Sequence, residues 1–473
     1  MAENPRFSEN EDLQELLSVY ERLRSGRGTG FLSEESFERI IDHFDDQDAL
    51  PKAMEAAEIG ILQFPYSSTL LVKKADLLIA SRQYKNALSL LEKAEILDKN
   101  DIDIYILRTD AYLALDQQEK AVALLKDAIQ QFEGDDRIDL LFELADVYDD
   151  YEAFEKIFDC LKLILEYDPN NEEALYKICF WTDFTGRNEE SIRLHLKIIE
   201  DYPYNDLAWF NLAAAYQGLK LFEKAIDAYQ YAIAINEKFD YAYRNMADAQ
   251  MRLHRYKEAI ESLEKVIELA RPEDLIYQAI GYCYEKIRNF AQARFYYRKA
   301  SHLNPDNARL YIKVAATYMK ENKYLQAVKY LDMALRIKRL DPEFNLIMGE
   351  CNMKLGKYKD AVHYFLTVVQ SKPRNLKGWE ALIRSLFEAG QFSEAEKQIQ
   401  QARLRIGDKP VLDFYESAVL LAEGKTNLGF ALLEKTIEAF PKQLKLFLKL
   451  YPSAVKYPQV VELLLKSKRR KHL

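Results

Sequence analysis

Small and hydrophobic residues recur along the chain at intervals of 34 residues, with polar residues between them. The clearest marker is an alanine that follows a charged or polar residue. Nine such alanines form two series with this spacing: Ala53, Ala87 and Ala121, and then Ala225, Ala259, Ala293, Ala327, Ala361 and Ala395. The gap of 104 residues between the series equals three intervals plus two residues, which we assign to an acidic turn at residues 133–136. A fixed spacing of this length predicts an array of one repeated supersecondary unit.

Each 34-residue repeat has the apolar pattern of two amphipathic helices. In the sixth repeat, the first helix has apolar or small residues at i, i+3, i+4 and i+7, and Gly218 marks the turn before the second. The core residues of this repeat are Trp209, Leu212, Ala213 and Tyr216, and then Ala225, Tyr229 and Ala232. The second helix is expected to end before a proline, which lacks a backbone N–H. Prolines occupy this position at Pro65, Pro169, Pro203, Pro305, Pro373 and Pro441.

The order aromatic, leucine, small, tyrosine, then alanine, aromatic, alanine, proline closely resembles the tetratricopeptide repeat (TPR). This resemblance implies an all-α fold, a right-handed α-solenoid (superhelix) of tandem helix–turn–helix units that bury one another's apolar faces. Twelve repeats are predicted to cover residues 34–443. They begin at Glu34, Ser68, Ile102, Ile138, Glu172, Asp206, Asp240, Asp274, Ala308, Pro342, Leu376 and Pro410.

Helical caps are predicted at both ends of the array, because a terminal repeat would otherwise expose its apolar face. Residues 1–33 contain an amphipathic capping helix at 11–24 and a glycine-rich loop at 26–30. Residues 444–473 are expected to form two short capping helices, around 443–450 and 459–467, and a basic tail at 466–471.

The composition excludes several classes of protein. Glycine (15) and proline (13) make up about 6% of the 473 residues, roughly half their average share, which argues against turn-rich all-β and disordered chains. Apolar residues at 49% supply a large core. A membrane-spanning helix needs about 18 or more consecutive apolar residues, and the chain has no such run. We therefore expect an intracellular, cytoplasmic protein.

The charge is distributed unevenly along the chain. The net charge of −10 combines a first part, residues 1–250, with 51 acidic and 26 basic side chains, and a second part, residues 251–473, with 25 acidic and 40 basic. The net charges of the two parts are therefore −25 and +15. Such an asymmetry indicates charged partners or head-to-tail self-association. Drift between two solvated surfaces remains an alternative.

Motifs for catalysis or cofactor binding are not found in the sequence. The four cysteines and six histidines are scattered, without the spacing of a metal site or a disulfide framework. The loop at 26–30 follows no strand, and Gly424-Lys425-Thr426 lacks the first glycine of a phosphate-binding loop. The repeats also leave no room for a separate catalytic domain. We therefore expect no enzyme activity, no cofactor and no metal.

The face of the first helix that points away from the core is the candidate binding surface. The TPR resemblance implies that positions 2, 5, 9, 12 and 13 of each repeat line a concave groove. In the first four repeats these positions hold twelve carboxylates and no lysine or arginine. Position 9 is aspartate in all four, and the predicted acidic site is Asp42, Asp76, Asp110, Asp146 and Asp149.

Aromatic and polar residues occupy the same face in the middle repeats. Aromatic rings on a solvated face indicate that a partner covers them, although an ordinary solvated charged face remains the alternative for the charges. The residues predicted to bind a partner here are Tyr176, Phe180, Phe184, Phe210, Asn211, Tyr241, Arg244, Asn245 and Tyr282. Asn211 and Asn245 hold position 6 of consecutive repeats and are predicted to clamp a peptide backbone.

These features favour a non-enzymatic scaffold or adaptor that binds a segment of another protein, basic and with apolar anchors, in the TPR groove. Two alternatives stay open on the sequence alone. The basic half, residues 251–473, could bind nucleic acid or an acidic partner, although acidic residues interrupt it and no nucleic-acid recognition motif is present. The chain could also be a regulatory or assembly subunit of a larger complex.

Overall fold

The computed structural model of the protein describes residues 5–25, 31–271, 273–440 and 444–469. In these residues the chain forms twenty-seven α-helices and one short 3₁₀ helix, and it has no strand. The prediction of an all-α fold is therefore confirmed. The loop at 26–30, Pro441 and the tail residues 470–473 lie outside the described residues.

Twelve helix pairs make up most of the structure, and we name the first helix of each pair A and the second B. The A helices are α2 (Glu34–Asp45), α4 (Ser68–Ala80), α6 (Ile102–Ala114), α8 (Gly134–Asp150), α10 (Glu172–Thr185), α12 (Asp206–Gly218), α14 (Asp240–Arg252), α16 (Asp274–Lys286), α18 (Ala308–Lys320), α20 (Pro342–Lys354), α22 (Leu376–Glu388) and α24 (Pro410–Ala422). The B helices are α3 (Leu50–Gln63), α5 (Tyr84–Leu97), α7 (Gln118–Gln131), α9 (Phe154–Tyr167), α11 (Asn188–Asp201), α13 (Phe222–Ile235), α15 (Tyr256–Leu269), α17 (Phe290–Leu303), α19 (Tyr324–Ile337), α21 (Tyr358–Ser371), α23 (Phe392–Ile406) and α25 (Thr426–Ala439).

The helices outside these pairs are α1 (Pro5–Arg24), α26 (Leu444–Leu450), the 3₁₀ helix Pro452–Lys456 and α27 (Pro458–Arg469). The helix α1 begins before residue 11, where the sequence pattern starts its capping helix. Tyr20 of α1 is buried in the same apolar cluster as Phe37 and Ile40 of α2. At the other end, Phe447 and Val460 are buried in one apolar cluster with the last helix pairs.

The chain divides into two compact blocks, an N-terminal block of residues 1–242 and a C-terminal block of residues 243–473. Within each block, the A and B helices of a repeat pack together, and the B helix packs on the A helix of the next repeat. In the N-terminal block, α2 also contacts α4, α4 contacts α6, and α6 contacts α8. Each block is thus a tandem array of helix pairs that bury one another's apolar faces.

The repeated sequence features explain why the helices form and end where they do. All nine marker alanines are fully buried in B helices, where a residue without a long side chain allows close helix contact. Each described proline of the predicted series stands two residues after the end of a B helix, as Pro305 follows α17. Ser, Asp or Asn residues cap many A helices, and the Asn205 side chain, for instance, accepts the backbone N–H of Ala208 at 2.8 Å.

The fourth repeat differs from the sequence expectation. Residues 133–136 do not form a turn that absorbs two extra residues, because α8 begins at Gly134 and is seventeen residues long. Asp135 and Asp136 lie in its first turn, where negative charge is favourable next to the free N–H groups. The insertion is therefore accommodated as an additional helical turn. The other eleven A helices begin at the residue with which the sequence pattern starts a repeat.

The turn between helices A and B contains one left-handed residue in every repeat. This residue is glycine in four repeats, at Gly186, Gly356, Gly390 and Gly424. In the other eight it has a side chain and a φ between 52° and 63°: Asp48, Arg82, Asp116, Glu152, Lys220, His254, Arg288 and Asn322. A non-glycine residue in this region is strained by roughly 1–2 kcal/mol, so the turn geometry is imposed by helix packing and not by glycine.

Replacing Gly349 by alanine is expected to destabilise the C-terminal block. An added Cβ at this position of α20 would lie 2.4 Å from a ring atom of Phe365, which is fully buried. Alanine favours a helix over glycine by about 1 kcal/mol, but overpacking costs about 1–3 kcal/mol, and we expect a net loss. Urea unfolding of the wild type and of Gly349→Ala measures this loss of stability.

The control for Gly349→Ala is the double variant Gly349→Ala/Phe365→Leu, in which the smaller side chain makes room. Its loss of stability should be less than the sum of the two single losses. A Gly349→Ala protein as stable as the wild type would contradict the close packing of α20 on α21.

Candidate functional site

The aspartates at position 9 of the first four repeats lie on one face of the N-terminal block. We call Asp42, Asp76, Asp110 and Asp146 the acidic row. They stand on α2, α4, α6 and α8, and all four are solvent-exposed. Because these A helices contact one another in order, the row is continuous. Asp149 is also exposed, at the end of α8.

The carboxylates of the acidic row raise one another's proton affinity. Partial burial raises the pKa of Asp110, and the Asp76 carboxylate raises it further. Burial likewise raises the pKa of Asp76, where Asp45 adds to the effect and Lys73 opposes it. The pKa of Asp146 is raised mainly by burial, against the opposing charge of Lys177. Negative charge therefore outweighs the effect of the nearby lysines at Asp76, Asp110 and Asp146.

Two lysines at position 6 modify the row. Lys73 forms an ion pair with Asp42, which neutralises the first member. Lys177 pairs with Glu173 at 2.7 Å. No lysine, arginine or histidine of the described residues forms an ion pair with Asp76, Asp110 or Asp146. The part of the row that can attract a cation is therefore these three residues.

Glu143 belongs to this surface, although the sequence pattern did not select it. Burial raises the pKa of Glu143 to about 7, with further contributions from the carboxylates of Asp110, Asp146 and Asp150. It stands at position 6 of its repeat, which is not one of the five groove positions and for which only the asparagines Asn211 and Asn245 were predicted to contact a partner. The charge of its repeat was a usable signal, because α8 has an acidic residue four positions before Glu143 and another three positions after it.

Replacing Glu143 by glutamine is expected to stabilise the fold above neutral pH. The pKa of Glu143 rises from 4.5 to about 7 on folding, so the folded chain binds the proton more tightly. The free energy of unfolding therefore falls as the pH rises between these values and stays reduced above them. Because solvent screens part of this effect, Glu143→Gln should raise the free energy of unfolding by about 1–2 kcal/mol at alkaline pH and leave it unchanged at acid pH.

Urea unfolding at several pH values measures this effect of Glu143→Gln. The matched control is Glu119→Gln, on the exposed side of α7, which should leave the pH profile unchanged. An identical pH profile for the Glu143→Gln and wild-type proteins would show that Glu143 is fully solvated.

A group of four aromatic rings, two exposed and two half-buried, follows the acidic row. We call Phe154, Phe180, Trp181 and Phe184 the aromatic cluster. The Phe154 and Phe184 ring centroids are 4.9 Å apart in an edge-to-face contact, and Phe154 stacks on Trp181 at 5.5 Å. Phe180 and Phe184 remain 60% and 57% exposed. The cluster presents ring faces to solvent beside the acidic end of α8.

Only Phe180 and Phe184 of this cluster could be predicted from the helix pattern. Phe154 is the first residue of α9 and stands where most repeats have a half-buried tyrosine or phenylalanine. Trp181 precedes a core position of α10. Their contact with Phe180 and Phe184 joins a B helix to the next A helix, so a pattern within one helix cannot reveal it.

The remaining predicted residues of the N-terminal block have different environments. Tyr176 is 64% exposed and Tyr241 is also exposed. Phe210 packs against Phe239, with ring centroids 4.9 Å apart. Asn211 is only 2% exposed, and its Nδ2 donates to the backbone oxygen of Leu175 at 2.7 Å. Asn211 thus joins α12 to α10, and its amide nitrogen is not available to a peptide.

In the C-terminal block, the predicted residues also have internal contacts. Arg244 forms an ion pair with Glu273 at 3.0 Å. Tyr282 is 40% exposed, and Lys286 Nζ lies 4.9 Å from the centre of its ring. Asn245 is half-buried. Arg244 and Tyr282 are therefore each in contact with a charged side chain of the same block.

Within the described residues, no group of histidine, cysteine and carboxylate side chains is arranged to hold a metal ion. In the same part of the chain, no helix combines the length and the apolar character that crossing a membrane requires. All four cysteines are free thiols, and burial raises the pKa of Cys179 to about 11, so this thiol is not activated as a nucleophile.

Three family models match the chain. Residues 78–144 and 352–409 match models of the tetratricopeptide repeat, and residues 208–354 match the C-terminal ARM domain of tetratricopeptide repeat protein 21. The chain belongs to the TPR family. No curated protein matches the TPR chain by sequence.

Solved TPR structures resemble the chain at low identity. The C-terminal part of a TPR protein from Cytophaga hutchinsonii is 15% identical, covers 54% of this chain and 99% of its own, and gives a TM-score of 0.44. The APC/C hetero-tetramer Cut9–Hcn1 is 11% identical over 82% of this chain and 97% of its own, with a TM-score of 0.32. YrrB, a TPR protein with an unusual peptide-binding site, is 16% identical over 40% of this chain and 96% of its own, with a TM-score of 0.35.

Proposed function

We propose that this TPR protein is a non-catalytic scaffold or adaptor that binds a basic segment of another protein on the A-helix face of its N-terminal block. One observation carries the proposal: three exposed carboxylates in consecutive repeats have no cation partner in the described chain and stand beside an exposed aromatic cluster. TPR arrays serve in general as protein-binding scaffolds.

The energetics support a positively charged partner. Like charges in a row repel one another, and each raised carboxyl pKa represents a cost of keeping that group ionised at neutral pH. A cationic segment placed along the row reverses this cost, because its positive charge makes the electrostatic potential at Asp76, Asp110 and Asp146 less negative. Adjacent packed helices are about 8–10 Å apart, which an extended chain spans with about three residues. Cations at every third position of a segment therefore fit the row.

The aromatic cluster supplies the second part of the proposed interaction. Buried aromatic residues carry much of the free energy of protein interfaces, and two rings of this cluster are more than half exposed. A partner that follows the acidic row along α2 to α8 reaches these rings on α10. We therefore propose a partner segment with cations in one part and an apolar or planar anchor in the next.

Affinity capture with matched baits tests the proposal. The row variant, Asp76→Asn/Asp110→Asn/Asp146→Asn, should lose proteins that the wild type captures from native lysate. The control variant is Glu92→Gln/Glu119→Gln/Asp127→Asn, which removes the same charge from exposed positions of the B helices α5 and α7 and should retain them. If the two variants capture the same proteins as the wild type, the acidic row is not the binding surface.

A further inference from the structure

A crevice beside the aromatic cluster combines ring faces with carboxylates. It has a volume of about 300 Å³ and is bordered by Phe154 and Phe184, together with Glu152, Glu155 and Lys156. No cation of the described chain pairs with Glu152. Lys156 Nζ lies over the ring of Tyr148, 4.9 Å from its centre. The crevice therefore offers a free carboxylate and two phenylalanine rings.

This chain binds its own arginines with the same combination of groups. The Arg187 Cζ atom lies 4.2 Å from the centre of the Phe158 ring, while its Nη atoms pair with Asp159 and Glu190, both at 2.6 Å. A planar guanidinium can stack on a ring and pair with carboxylates at its edge at the same time. Phe158 and Asp159 lie one turn after Phe154 and Glu155 on α9.

A second internal arginine shows the same geometry. The Arg294 Cζ atom lies 4.4 Å from the centre of the Tyr318 ring, and its Nη1 pairs with Glu321 at 2.7 Å. In the described residues, the lysine–ring contacts are longer, and their Nζ-to-centroid distances run from 4.8 Å to 5.8 Å. The compact ammonium group is strongly hydrated and does not stack. Close contact with a ring in this protein is thus a property of arginine.

We infer that the crevice bordered by Phe154, Phe184 and Glu152 binds an arginine side chain of the partner segment and discriminates it from lysine. The guanidinium stacks on the exposed face of Phe184 and pairs with the Glu152 carboxylate. This inference rests on the proposed function, because the acidic row brings a basic segment to the surface. The acidic row attracts any cation, whereas the crevice requires the planar guanidinium group of arginine.

Two peptides of equal length and charge test the inference. One has arginine and the other has lysine at every third position, with serines between, and both have capped ends and a fluorescent label. Fluorescence anisotropy with the full chain should give a dissociation constant about fivefold lower for the arginine peptide, since a ring contact of this kind contributes about 1 kcal/mol. In the Phe184→Leu and Glu152→Gln variants, the two dissociation constants should become nearly equal.

The controls separate the inference from the proposed function. Tyr204→Leu removes an 84% exposed ring outside the cluster and should leave the preference for arginine intact. The row variant should weaken both peptides by the same factor. Equal affinities in the wild type, or a preference that survives Phe184→Leu, would overturn the arginine site and leave the acidic surface standing. If neither peptide binds, both the inference and the proposed function fail.

Discussion

The row variant, Asp76→Asn/Asp110→Asn/Asp146→Asn, is expected to associate with a basic partner at least about tenfold more slowly than the wild type. Charge that lines one surface raises association rates by about 10- to 1,000-fold, and these three carboxylates are the members of the acidic row that form no ion pair within the described residues. Asparagine preserves the shape and removes three charges. Stopped-flow fluorescence with a labelled basic peptide measures the association rate.

The salt dependence distinguishes this electrostatic effect from a loss of shape. At physiological ionic strength, charges are screened beyond about 8 Å, so the wild-type association rate should fall steeply with added salt, while that of the row variant should change little. The free energy of unfolding should stay equal or rise, because repulsion between carboxylates is removed. A row variant that unfolds more easily and yet binds at the wild-type rate would make the row a structural feature.

Much of this architecture could be predicted from the sequence because each repeat uses the same local signals. An alanine at the helix contact, a proline after the B helix and a capping residue before the A helix recur with one spacing, and each acts within its own repeat. Position 9 is exposed in each of the first four repeats, as expected for one helix position that recurs with the repeat. The fourth repeat was the exception, since two inserted residues could form either a longer turn or another helical turn.

The parts of the site that the sequence pattern missed depend on contacts between repeats. Glu143 and Lys73 stand at position 6, at the border of the helix face, where a neighbouring repeat decides whether the side chain faces solvent, a carboxylate or the next helix. Asn211 shares this position and is buried, because the backbone oxygen of Leu175 on α10 accepts its amide. The aromatic cluster likewise exists only through the contact of α9 with α10.

Replacing Phe180 and Phe184 by alanine is expected to speed dissociation of the partner by about 10- to 100-fold, which corresponds to about 1–3 kcal/mol. These rings approach a partner only after electrostatic attraction has brought it to the surface, so the association rate should change little. Because both side chains are more than half exposed, their removal opens no internal cavity, and the free energy of unfolding should remain close to that of the wild type.

Surface plasmon resonance separates the two rates for Phe180→Ala/Phe184→Ala, and Tyr204→Ala is the matched control for loss of an exposed ring. The opposite pattern from the row variant is the informative result: the charges control how fast a partner arrives, and the rings control how long it stays. A double variant that dissociates at the wild-type rate would exclude the aromatic cluster from the interface. One that unfolds more easily would instead mean that the ring contacts between α9 and α10 stabilise the array, which accounts for their exposure without a partner.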